Sequence, residues 1–275
     1  MKLYVMTDLE GVAGVLDFEN WCRPEYSRYY ELAKEFLTLE VNAAVEGFFE
    51  GGAAEITVAD GHGPGAISPK LLDPRVELMR GWPEGWPLLL DASYDAVAWV
   101  GQHAKAGSEY AHLAHTQSFR YLDLSVNGVS IGEFGQFAMC ASELGVRAIF
   151  GSGDEAFTKE AAALVPGIET VSVKRGTTPG QGDECTAEEY QRRNYGAIHL
   201  HPEKARERIR EGAKRAVQRA QTEDFGLIEL IPPFKRVCRF RAYEDQPKTI
   251  AREQHPSSFI ALINMPYNRR PVGDV

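Results

Sequence analysis

The chain reads as an α/β protein: a largely parallel sheet with flanking helices, plus a smaller α+β C-terminal part. Three observations point there. Short apolar runs alternate with amphipathic stretches from residue 1 to about 174. Those runs are bounded by Gly-rich turns, as strands of βαβ units are. After residue 174 the pattern breaks into a polar, Gly-rich stretch and then resumes differently. Residues 1–174 are therefore expected to form one unit and residues 175–275 a smaller one.

The elements follow in order. "KLYVMTD" is a short buried strand, and "GVAGVLDFENWCRP" is a loop punctuated by Gly and Pro. A helix is expected from near Tyr26. Its apolar stripe is Tyr26, Tyr30, Ala33, Leu37, Val41, Ala44 and Phe48, in steps of four and three. Gly51 and Gly52 end it as a left-handed cap would. "EITVAD" (55–60) and residues 95–101 are strands, and "YLDLSVNGVSIGEFG" is a hairpin turning on Asn127-Gly128. "GQFAMCASELG" is a helix, "VRAIFGSGD" a strand, "DEAFTKEAAALV" a helix and "IETVSVK" a strand. Residues 177–193 are a loop or insertion. "HPEKARERIREGAKRAVQRAQ" is a helix with Pro202 in its first turn, and "FKRVCRFRAYED" and "SFIALINMPYN" are expected strands.

Composition narrows the function classes. The formal net charge is −9 over 275 residues, so no basic field exists for nucleic acid or an anionic membrane surface. No run approaches the roughly 20 apolar residues of a membrane span. The N-terminus lacks a signal-peptide pattern, and the four cysteines are scattered with no CxxC pair. A reducing, cytoplasmic setting is the expectation.

The chemistry gathers at strand ends. The first strand ends in Asp8 and Glu10, the second in Asp60 with His62 two residues on, and the third in Gly101 with His103 two residues on. Sites in open parallel sheets form outside the carboxyl ends of strands. Two carboxylates side by side repel unless something cationic holds them. With two imidazoles they form a donor set for a divalent metal, zinc first, with manganese, cobalt or iron as alternatives. Glu133 in "SIGEFG" offers a fifth ligand, enough for a two-metal hydrolytic site. Taken singly, each has an ordinary explanation: a satisfied imidazole, a solvated carboxylate, or a helix-capping glutamate. Asp60 and Asn127 are candidates to orient the metal-binding side chains, and Lys105 to hold a substrate carboxylate. His112 is expected at the surface, His199 and His201 at a helix start, and Cys140 in the core.

Six segments in order, "MKLYVMTDLEGVAG", "VADGHG", "VGQHAKAG", "AHTQSF", "NGVSIGEFG" and "GDEAFTKEA", resemble the zinc-dependent D-aminopeptidase family, and the resemblance resumes in "VKRG" and "LHPEKARERI". It implies two zinc ions per subunit, with Asp8 bridging, Glu10 and His103 on one ion, and His62 and Glu133 on the other. It implies His115 as the catalytic residue and a metal-activated water. It further implies release of N-terminal D-amino acids, D-alanine especially, from short peptides, and a ring-shaped homodecamer. The stretch 177–193 is longer than such a family's usual connection, which suggests a lid or an oligomer contact. "INMPYNRRPVGDV" lacks an apolar terminal helix. A two-metal phosphoesterase or other amidohydrolase, and a non-catalytic ring-forming metal-binding protein, are the alternatives.

Overall fold

A computed structural model of the chain describes residues 1–82 and 84–273. The strands form two sheets. The first runs in the order β3-β2-β1-β4-β7-β8-β9. Its members are β1 (Lys2–Thr7), β2 (Glu55–Asp60), β3 (Glu77–Met79), β4 (Ala96–Gln102), β7 (Arg147–Asp154), β8 (Glu169–Gly176) and β9 (Ala197–His199). All pairings are parallel except β8 with β9. The second sheet is antiparallel, in the order β12-β11-β10-β5-β6. It holds β5 (Tyr121–Val126), β6 (Val129–Ser130), β10 (Phe234–Phe240), β11 (Thr249–His255) and β12 (Arg270–Pro271). Both sheets draw strands from either side of residue 174: β9 joins the first, while β5 and β6 join the second.

The helices are α1 (Phe18–Trp21), α2 (Tyr30–Gly51), α3 (Glu133–Glu143), α4 (Glu155–Leu164), α5 (Ala187–Arg193), α6 (Pro202–Ala220) and α7 (Phe259–Ile263). Alternation along β1 explains why helices cover both faces of the parallel sheet. Leu3 and Val5 enter one apolar cluster with Leu37, Val41 and Phe48 of α2 and Ile209, Ala213 and Val217 of α6. Tyr4 and Met6 enter the opposite cluster with Phe134 and Phe137 of α3 and Phe157 of α4. Strands buried on both faces read as continuous apolar runs, as "LYVM" does. Full burial of a side chain such as Phe48 is worth about 1.5–3 kcal/mol.

Three expectations need correcting. The long helix starts at Tyr30, and Tyr26 is 60% exposed, off the stripe. Residues 259–263 form α7, because Ser258 caps its first turn by accepting from the Ala261 N–H. The stretch 177–193 is partly helical, since Thr186 and Glu189 form a reciprocal capping box ahead of α5. The hairpin turn sits on Asn127 and Gly128, both at positive φ.

Candidate metal centre

Because β1 lies between β2 and β4, three adjacent parallel strands deliver their carboxyl ends to one place, with Thr7 opposite both Asp60 and Val100. The chain order reverses its direction of growth here, which is where open α/β sheets form crevices. The turn after β1 is stitched to β4 by its main chain. Asp8 N–H donates to the Val100 carbonyl at 3.0 Å and Gly11 N–H to the Gly101 carbonyl at 2.8 Å. Gly101 has φ +78°, and a Cβ there would lie 2.0 Å from the Asp8 carbonyl. At Gly11 a Cβ would lie 2.2 Å from the Gln102 carbonyl. Only glycine allows both approaches.

Six side chains converge. Asp8 stands between two imidazoles, with Oδ1 3.3 Å from His62 Nδ1 and Oδ2 3.1 Å from His103 Nε2. Glu10 Oε2 is 3.1 Å from His62 Nδ1. Glu133 Oε1 is 3.7 Å from His103 Nε2 and 3.8 Å from His115 Nε2. The His103 and His115 rings stack at 4.0 Å between centroids. All are buried except Glu133, which is half-buried.

Asp8, Glu10 and His103 offer ligand atoms within 4.8 Å of one another, as do His103, His115 and Glu133. His62, however, contacts Asp8 and Glu10, not Glu133. The reason is topological: His62 arrives from β2, on the far side of β1, whereas Glu133 opens α3, which packs on β4 and β7.

Backbone carbonyls decide which ring nitrogen faces the centre. A carbonyl can only accept, so each imidazole nitrogen beside one must carry a proton. His62 Nε2 donates to the Cys22 carbonyl at 2.9 Å, His103 Nδ1 to Ala104 at 2.9 Å, and His115 Nδ1 to Leu113 at 2.8 Å. His62 therefore presents Nδ1 inward, while His103 and His115 present Nε2. Such carbonyl partners are what orient metal-bound histidines.

The charges ask for a cation. Burial would raise the Asp8 carboxyl, but His103 and His62 hold it well below the usual range. Burial would lower His103, yet Glu133 and Asp8 lift it to about 10. His62 is likewise raised, by Glu10 and Asp8 against burial. Burial pushes Glu133 up to about 7. Protons on two imidazoles thus offset the crowded carboxylates, and metal ions bind such groups in exchange for protons. Two buried atoms, Glu10 Oε2 and His103 Nε2, face only these opposed charges, His62 Nδ1 and Asp8 Oδ2 at 3.1 Å, and meet no other close partner among the described residues. A donor set of three carboxylates and two inward imidazole nitrogens fits zinc. His115 differs: burial and then His103 push it down to about 3, so its ring is neutral.

Other candidates fall elsewhere. Asp60 accepts from the Ala66 and Ile67 N–H groups and shapes its own loop. Asn127 ties the hairpin to β10 through Ile231 and Lys235. Lys105 lines a separate recess with Asp123 and Arg239. His112 is fully buried, correcting its expected surface position, because its Nε2 donates to the Leu16 carbonyl and its N–H to Asp154. His201 caps α6, and Cys140 is in the core.

Several supports were not anticipated. Gln102 donates to Asp8 Oδ2 at 3.1 Å, and the Gln117 N–H to Glu133 Oε1 at 2.6 Å. Gln117 does so from φ +60°, a strained conformation for a side-chain-bearing residue. Lys174 Nζ reaches the carbonyls of Glu10, Val12 and Val15 from β8, holding the carboxylate turn. A charged residue inside the otherwise apolar "TVSVK" was the available signal. The centre opens on a polar groove of about 520 Å³ lined by His62, His115, Arg23, Glu25 and Tyr26. One wall is α1, whose Glu19 accepts from Gln191 of α5 and bonds Tyr195.

Comparison with known proteins gives three matches. The profile of peptidase family M55, described as D-aminopeptidase, matches residues 1–246. A D-aminopeptidase of Bacillus subtilis (strain 168) is 28% identical over 178 residues, 64% of this chain. That alignment spans 64% of the relative's own length. The fold is similar to the solved structure of the "Zn-dependent D-aminopeptidase DppA from Bacillus subtilis, a self-compartmentalizing protease". There the TM-score is 0.78 at 21% identity, over 95% of this chain and 94% of that one.

Proposed function

The chain belongs to the D-aminopeptidase family, peptidase M55, and from that premise we propose that it is a zinc-dependent aminopeptidase releasing N-terminal D-amino acids, D-alanine among them, from short peptides. The observation that carries the reading is the buried cluster itself: Asp8, Glu10 and Glu133 crowded against His62, His103 and His115, with ligand atoms within 4.8 Å of one another in two groups. By their contacts, Glu10 and His62 would hold one zinc and His103 and Glu133 the other, with Asp8 within reach of both pairs. When bound, the zinc pair supplies Lewis acidity for the scissile carbonyl and a more acidic water.

The side chains do the rest. His115 faces the centre with an unprotonated Nε2, the geometry of a general base. Phe18 and Phe119 pack on its ring and shield it from water. Gln102 and the Gln117 N–H keep Asp8 and Glu133 in place.

Elemental analysis of the purified protein should read two zinc ions per chain, and D-Ala-D-Ala should be cleaved while p-nitrophenyl phosphate is not. Zinc-loaded protein that leaves D-aminopeptides untouched, or that hydrolyses the phosphate ester instead, would overturn the proposal. The self-compartmentalizing relative supports an oligomer. A ring-shaped decamer extends the proposal, checked by light scattering at ten chain masses. A cytoplasmic setting is part of it too, in keeping with four free thiols. Among the described residues no helix is long and apolar enough to cross a membrane.

A further inference from the structure

Beside the clustered carboxylates and imidazoles, on the side away from the polar groove, lies a recess of different chemistry. It is a cavity of about 180 Å³ that shares Asp8, Gln117 and Glu133 with the polar groove. Its remaining walls are mostly apolar, Met6, Trp82, Trp86, Leu88, Trp99 and Phe137, with Thr7 and Gln102 the polar members. Asp8 and Glu133 are the only charged residues among the described residues that line it.

The walls are built to hold their shape. Trp99 comes from β4 and Phe137 from α3, and both are buried, packed edge to face at 5.8 Å. Phe137 also meets Trp86 at 6.3 Å and Tyr4 at 5.3 Å. The segment carrying Trp86 and Leu88 is fastened from below, where the Tyr4 hydroxyl donates to the Leu88 carbonyl at 2.6 Å. Trp99 is fully buried beneath the recess, while Trp82 and Trp86 are only partly buried and keep part of their surface free beside the centre.

Size and polarity then divide the labour. Pockets that take an entire small ligand span about 300–1,000 Å³. This cavity is smaller, so it takes one part of a substrate. The polar groove, at about 520 Å³, has room for the remaining peptide. An enzyme that removes one residue at a time needs a place for one side chain next to the bond it cuts.

We propose that this cavity receives the side chain of the substrate's N-terminal residue and selects large apolar or aromatic side chains over alanine. The assignment rests on the aminopeptidase reading and adds its substrate class. Each methylene placed in an apolar pocket is worth about tenfold or more in kcat/KM. A methyl group leaves most of the cavity unfilled, whereas a leucyl or phenylalanyl side chain covers the tryptophan faces.

The test uses zinc-loaded protein and two dipeptide series. In the first, X-Gly with X as alanine, leucine or phenylalanine in both D and L forms, the leaving group is constant. Release of leucine and phenylalanine should exceed that of alanine by at least about tenfold in kcat/KM, in whichever hand is cleaved. In the second, Ala-X with the hand of alanine matched to the first, the dependence on X should be weaker. Leu88→Trp, which fills the cavity, should lower the leucine-to-alanine ratio at least about tenfold. That ratio does not depend on how much of the preparation is folded. Alanine released as fast as leucine, or a preference that follows the second residue, overturns the assignment and leaves the aminopeptidase reading standing. No cleavage in either series overturns both.

Discussion

Two groups of histidines meet the turn formed by residues 10–16, His62 and His103 beside carboxylates and His112 and His199 at Leu16 and Gly14, and their protonation is driven in opposite directions. On one side, burial would lower His103, but Glu133 and Asp8 raise it to about 10. On the other, burial lowers His112 to about 2, with Lys174 and then His199 adding to the effect. His199, facing His112 at 5.2 Å, is lowered to about 4 by burial and Lys174. Both sets of rings bond backbone: His62 and His103 to Cys22 and Ala104, His112 and His199 to Leu16 and Gly14. Burial and a tied ring therefore do not mark a metal centre. The neighbours do: carboxylates in one place, an ammonium in the other.

Four experiments sharpen or break this contrast, taken from the largest expected effect down. His115→Ala should cost about 10²–10⁴-fold in turnover while zinc content stays at its wild-type value. Near-normal activity would remove His115 from the chemistry. Lys174→Met strips the shared carbonyls of their donor and leaves buried Asp154 and Glu40 less compensated. It should destabilise by about 3–5 kcal/mol in urea titration. In the same variant the imidazole resonances of His112 and His199 should titrate at higher pH, because a cation beside them has gone. Unmoved resonances would show that burial alone sets them.

The third concerns acid. The folded pKa of His112, about 2, lies below its ordinary 6.5, so the folded state resists its protonation. Its contribution to stability is present above about pH 6.5 and is lost as pH falls toward 2. The slope should be about 1.4 kcal/mol per pH unit between pH 6 and 4. His112→Gln, which keeps a donor for Leu16, should remove that part of the slope. An unchanged slope would refute the assignment. The fourth is a reference point: the exposed Lys159–Glu155 pair, one turn apart on α4, should change stability by no more than about 0.5 kcal/mol on Lys159→Ala.

Much of this arrangement could be read along the chain, because a parallel sheet makes a local feature global. Strand ends are visible as apolar runs stopping at Asp8, Asp60 and Gly101, and the βαβ rule sends all three to one edge. That rule brought His62 and His103 into consideration without any knowledge of contacts, while Glu133 entered only as a fifth ligand offered by "SIGEFG". It could not say that His62 sits with Glu10 while Glu133 sits with His115, since strand order across the sheet decides that. Nor could it find the Cys22, Ala104 and Leu113 carbonyls, which have no residue-type signature. His112 was misplaced for a related reason: its partner carbonyl belongs to Leu16, 96 residues away. The antiparallel sheet was least legible, because β5 finds β10 across more than a hundred residues of intervening chain.

The contact at Gly101 has a consequence of its own. The two acidic side chains of the first turn owe their location to a hydrogen atom on a neighbouring strand, where any larger substituent would strike the Asp8 carbonyl. Exchanging one liganding group for another would disturb a single bond length. Adding one carbon at position 101 would displace Asp8 and Glu10 together. The residue that offers no donor atom thus governs more of the cluster's arrangement than any residue that lends it one.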